Sequence, residues 1–151
     1  MSRRNALLPA PIWKEQRPMK YICLGYYDKA KFDAMTEAER NAMYDECFDF
    51  DEHLRANGHW GVGEALQGQE TALTLSWKNG KVATTDGPYA ETKEQLGGIG
   101  FLEARDMNHA IQLVAQHPSL RYGSIWEIRP TGDMSEIRKA SEQRRRQNTA
   151  G

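Results

Sequence analysis

Cysteine is scarce in this chain: Cys23 and Cys47 are the two in 151 residues. A domain of this length builds a core without covalent staples. Two thiols within strand-like and helix-like patterns therefore read as buried apolar side chains in a reducing compartment, not as a disulfide. An excess of either charge is also lacking. Lys and Arg number 20 against 21 Asp and Glu, for a formal net charge of -1, which removes the global electrostatic case for nucleic acid. No segment approaches the roughly 20 apolar residues needed to cross a bilayer. Near the start, Ala6-Leu7-Leu8 is cut short by Pro9 and Pro11, a poor secretory signal. The expected location is the cytoplasm, with neither a membrane nor a nucleic acid as partner. HxH, HExxH and CxxC spacings are missing as well, so no metal and no cofactor is expected. Gly61-Val62-Gly63 and Gly97-Gly98-Ile99-Gly100 are glycine-rich, but they lack the strand–loop–helix context and the Lys of a phosphate cradle.

What is present divides into three zones. Residues 1–18 are proline-rich and aperiodic, and read as a flexible arm or as sequence upstream of a start at Met19. Residues 19–130 read as one compact domain. Residues 131–151 form a polar tail carrying Arg144-Arg145-Arg146, with room for a short helix capped by Ser135.

Within the domain the hydrophobic period alternates. Tyr21–Tyr27 is an aromatic, apolar strand. Thr36 and Glu39 fit a capping box, and the helix they open carries Met43, Cys47, Phe50 and Leu54 on one face until Asn57-Gly58 stops it. His59–Leu66 reads as a glycine-interrupted strand. Leu73, Leu75 and Trp77 alternate with Thr74 and Ser76, and Asn79-Gly80 turns the chain back as a hairpin into Val82–Thr85. Ile99–Ala104 is apolar on both faces, which predicts a central strand. Asp106 then caps a second helix that ends at His117-Pro118, and Ile125–Arg129 is the last strand. This order predicts an α+β domain, a ferredoxin-like βαββαβ with an inserted β-hairpin. Apolar side chains on both sheet faces leave one face to be covered, which predicts a homodimer.

The densest cluster of unusual residues is Asp86-Gly87-Pro88-Tyr89-Ala90-Glu91-Thr92-Lys93-Glu94-Gln95-Leu96-Gly97-Gly98. Gly-Pro fixes a bend, Gly97-Gly98 lets the chain re-enter a sheet, and ionisable groups crowd between them. The run resembles the DGPF signature of the YCII-related group, with Tyr89 where Phe is common, and the resemblance covers about residues 19–130. It implies a dimeric α+β barrel. It marks Asp86 as the hallmark position and points to an Asp and a His in the cleft.

Asp86, at a strand end before Gly-Pro, has two readings: a general acid or base, or the organiser of its own turn. His59, where the chain leaves the first long helix, is the histidine ranked with it as catalytic; His53, His109 and His117 rank lower. Gly87, Pro88, Glu91 and Lys93 in the signature, and Arg121 before the last strand, are the candidate ligand-binding residues, with Lys93 and Arg121 suited to an anion. Two functions follow. One is a small enzyme that binds a small polar or anionic molecule in a dimer cleft and moves a proton with Asp86 and His59. The other is a regulatory binding module without turnover. The resemblance associates that module with extracytoplasmic-function sigma factors.

Overall fold

Asp28 ends the first strand and starts the first helix. Its carboxylate accepts the backbone N–H groups of Ala30 and Lys31 at 3.0 and 3.3 Å, so β1 (Met19–Asp28) passes directly into the short α1 (Lys29–Ala34). Sequence periodicity does not anticipate α1, since six residues are too few to set up a helical stripe. The computed structural model describes residues 10–151, and residues 1–9 of the expected arm lie outside them. Within the rest of that arm, Ile12–Gln16 makes a turn of 3-10 helix whose Trp13 indole donates to the Asn57 carbonyl at 3.2 Å.

The capping box at Thr36 forms as expected: Glu39 N–H reaches Thr36 Oγ1 at 3.2 Å, and Thr36 N–H reaches Glu39 Oε2 at 2.7 Å. It opens α2 (Glu37–Ala56), which closes through Gly58 at φ 77. β2 (Trp60–Ala65) follows. β3 (Leu73–Lys78) and β4 (Lys81–Asp86) then pair about Asn79 and Gly80, both at positive φ. β5 (Glu94–Ala104) begins five residues earlier than its apolar run, so Glu94 to Gly98 of the signature belong to a strand and not to a loop. Asp106 caps α3 (Met107–Val114) through His109 N–H at 2.8 Å. A 3-10 turn over Pro118–Tyr122 leads into β6 (Ile125–Pro130). The tail forms α4 (Ser135–Thr149). Here the expectation is corrected: Ser135 is the first helical residue, and Asp133 Oδ1 receives its N–H at 2.9 Å.

The chain is α+β. Four strands form one antiparallel sheet in the order β2-β5-β1-β6, and β3-β4 stands as a separate two-stranded sheet. Alternation along β1 sends Tyr21 and Cys23 into the core with Leu102, Ala104 and Trp60, where Leu54 of α2 and Ala110 and Val114 of α3 cover them. On the opposite face Ile22 and Leu24 are half-buried, while Phe101 and Ile125 are exposed. Both thiols are free, Cys23 buried and Cys47 half-buried, and burial pushes each up to about 11. No helix among the described residues is long and apolar enough to cross a membrane.

Candidate functional site

Glycines line up across the sheet at one level. Gly25 of β1 pairs with Gly98 of β5, Gly98 pairs with Ala65 of β2, and Gly63 pairs with Gly100. Without side chains these positions leave open space between sheet and helix, and tryptophans occupy part of it. A Cβ on Gly25 would come within 2.8 Å of Trp126 Cη2, and one on Gly100 would overlap the Trp60 indole. The remainder is a cavity of about 670 Å³. It is floored by Gly25, Gly63, Gly97 and Gly98 and roofed by Met43, Cys47, Phe48 and Asp51 of α2. This explains why, of the predicted apolar face of α2, Leu54 alone is fully buried: Met43 and Cys47 face a void.

One wall carries a chain of hydrogen bonds. Trp126 Nε1–H donates to Ser119 Oγ at 2.9 Å, and Ser119 Oγ lies 2.8 Å from His117 Nδ1. Ser119 N–H also donates to Nδ1, at 3.2 Å. Nδ1 is thus the acceptor, and the proton of the neutral ring sits on Nε2, which faces Asp51 Oδ1 at 3.5 Å. That Oδ1 is buried and accepts no hydrogen bond. His117 and Ser119 are both buried, at 8% and 7% exposure. An imidazole oriented by a hydroxyl on one nitrogen and facing a carboxylate with the other is equipped for proton transfer. The hydroxyl is buried and the Trp126 N–H occupies one of its lone pairs, which leaves it little room to attack a ligand. The Cys47 thiol, raised by burial and by the Asp51 charge, is no thiolate nucleophile either.

The far end of the cavity reaches Asp28. Burial there disfavours its charge, but the Lys31 N–H, the Lys93 ammonium and the Ala30 N–H outweigh that and hold its carboxyl below the usual value. Lys93 Nζ lies 3.7 Å from Asp28 Oδ2, so this signature residue arrives at the rim.

The other sequence-selected residues are dispersed. Asp86 is exposed at the end of β4, opposite Leu73. Gly87, at φ 100, donates its N–H to the Ala72 carbonyl at 2.7 Å, and Pro88 is half-buried beside it. Glu91 is exposed. Arg121 pairs with Glu46 of α2, and Tyr122 Oη donates to the same carboxylate at 3.1 Å, so the arginine ties its loop to the helix. His59 is buried, donates from Nδ1 to the Glu103 carbonyl at 2.9 Å, and stacks on Trp13 with centroids 4.3 Å apart. It sits at the Glu103 end of β5, whereas the signature loop enters at the Glu94 end. An extended strand puts those ends roughly 30 Å apart. Asp86 and His59 make no contact with each other.

His117 is a residue that sequence reasoning ranked low, and Asp51 is one it did not single out. Asp51 reads as the wet face of a helix and His117 as a helix exit, and no local spacing joins them. Among the described residues no group of three or more His, Cys, Asp or Glu side chains is placed to hold a metal ion.

The fold and cavity define an α+β protein with α2 and α3 on one sheet face and a glycine-floored pocket between the layers. The model of the YCII-related domain matches residues 19–135, and the chain belongs to that family. An uncharacterised protein of Rhizobium meliloti (strain 1021) is 28% identical over 116 residues, covering 74% of this chain and 91% of its own length.

Proposed function

We propose that the chain binds a small polar molecule in the cavity beneath α2, and that His117, set against Asp51, moves a proton on it without a cofactor. The observation that carries this reading is the Trp126–Ser119–His117–Asp51 chain opening onto the cavity wall. It shifts the acid/base role from Asp86 and His59 to His117 and Asp51, and leaves Lys93 at the rim through Asp28. The strand order supports a ferredoxin-like βαββαβ with β3-β4 inserted. Exposed Phe101 and Ile125 on the uncovered face support pairing with a second copy to close an α+β barrel. The Asp86–Gly98 run supports placement in the DGPF branch.

A thermal-shift screen of small metabolites on wild type, Asp51→Asn and Asp86→Asn tests the site. A compound that stabilises wild type and Asp86→Asn but not a folded Asp51→Asn supports the cavity. Loss confined to Asp86→Asn returns the site to the signature loop.

A second reading has its own support. Tyr89 is 93% exposed at the tip of the signature loop, next to exposed Glu91 and Lys93. That favours a recognition surface for a protein partner, an extracytoplasmic-function sigma factor being the expected one. Pull-down of that partner by wild type and its loss in Tyr89→Ala would support it.

A further inference from the structure

Resting on the reading of the cavity as a ligand site, we infer that its occupant is an organic cation: a protonated amine on an aromatic or aliphatic body. Three observations converge. First, the walls are aromatic. Tyr27, Phe32, Tyr44 and Phe48 form a continuous run, with centroids 5.9 Å apart for Tyr27–Phe32, 6.4 Å for Phe32–Tyr44 and 6.0 Å for Tyr44–Phe48. Trp60 and Trp126 line the sheet side. Phe48 and Tyr44 remain 62% and 42% exposed, so aromatic surface is left for a guest. Aromatic faces attract cations and repel anions through the ring quadrupole.

Second, among the described residues the acidic ones on the lining are Asp28, Asp51, Glu52 and Glu64, and Arg55 is the one Lys or Arg there. Carboxylates therefore outnumber cations along the lining. Lys93, at the rim, is engaged with Asp28.

Third, the Asp51 carboxylate is under-satisfied: its Oδ1 is shielded and His117 Nε2 stands at 3.5 Å without completing a hydrogen bond, while the side chain as a whole stays 29% exposed on the cavity lining. An ammonium N–H that meets the exposed part of this carboxylate satisfies its charge and leaves the organic body on the glycine floor between the two tryptophans. His117 Nε2–H faces the same carboxylate, so Asp51 would draw on both the ring N–H and the ammonium. This favours a cation over the anion that Lys93 and Arg121 seemed to offer in sequence. Lys93 faces Asp28, and Arg121 is held by Glu46.

Matched probes of one shape test the charge: phenethylamine, 2-phenylethanol and 3-phenylpropionate, titrated into the full chain and followed by tryptophan fluorescence. Phenethylamine should bind about tenfold or more tighter than the other two, the worth of one charged hydrogen bond plus an aromatic face. That preference should vanish in Asp51→Asn, with circular dichroism reporting the fold. Salt provides a second readout that needs no variant, since rising ionic strength should weaken phenethylamine and spare the alcohol. Equal or tighter binding of the propionate overturns the inference but keeps the cavity as a ligand site. Failure of all three probes, with all metabolites inert in the thermal screen, overturns both.

Discussion

His117 Nε2 faces Asp51 Oδ1 at 3.5 Å across the wall of the cavity, one residue from the start of a 3-10 turn and the other from the middle of a long helix. The pair exists because the turn packs on α2, where Arg121 and Tyr122 both engage Glu46. Ser119 and Trp126 then fix the ring from behind, so that the proton-bearing nitrogen faces the carboxylate. The orientation is set by the scaffold before any ligand arrives.

The serine hydroxyl bridges Trp126 and His117, and Ser119→Ala removes the acceptor of a half-buried indole N–H. An unmet buried donor costs about 1–3 kcal/mol. Urea denaturation should show a loss of that size, and an unchanged midpoint would contradict the bridge.

Gly25 and Gly61 lie in the same sheet but differ in the space above them. A methyl at Gly25 meets Trp126 at 2.8 Å, while one at Gly61 sits at an ordinary 3.6 Å from the Phe101 carbonyl. Gly25→Ala should destabilise by about 1–3 kcal/mol through displacement of the indole. Gly61→Ala should stay within about 1 kcal/mol of wild type. Equal midpoints for the two variants would mean that the tryptophan does not rest on Gly25.

Acid should weaken the fold through His109. Burial first, then the charges of Arg105 and His59, depress its pKa below 6.5, against a weaker opposing pull from Asp106. The unfolded chain then takes up a proton more readily than the folded one. The stability this group contributes is complete above pH about 6.5 and is lost as the pH falls below that value. Thermal melts stepped downward from neutral pH should decline less steeply for His109→Gln than for wild type. Parallel profiles would remove His109 from the acid response.

Thr36→Ala breaks the reciprocal cap of α2, which forms the roof of the cavity. The expected cost is about 1 kcal/mol, read from a denaturant midpoint. Glu39→Gln should cost less, because an amide oxygen still accepts the Thr36 N–H.

Local chemistry explains what the sequence revealed. The Thr36 box, the Asn79-Gly80 turn, the Asp106 cap and the alternation in β1 each depend on neighbours a few residues away, and all are present. α1 was missed because one capping aspartate and six residues leave no period. Ser135 was misplaced by one residue: Met134 is the N-cap, and Asp133 Oδ1 takes the Ser135 N–H. The site was hidden for a different reason. Gly25, Gly63 and Gly98 form a floor through strand register alone, and the two glycine-rich stretches were weighed as phosphate loops. Asp51 and His117 meet only after the 3-10 turn docks on α2, so neither carries a local signal. Asp86 and His59 drew attention by their positions at element ends, yet β5 runs between their surroundings.

The four tryptophans report on three separate places, and one spectrum separates them. Trp60 and Trp126 line the cavity, Trp77 is exposed on the hairpin, and Trp13 stacks on His59. The most direct measurement is a ¹H–¹⁵N spectrum of the indole N–H groups during titration with phenethylamine or a hit from the metabolite screen. The cavity account predicts that the Trp60 and Trp126 signals move together while those of Trp13 and Trp77 hold still. Movement of Trp77 or Trp13, with Trp60 and Trp126 unmoved, would contradict it and place binding at the hairpin or at His59.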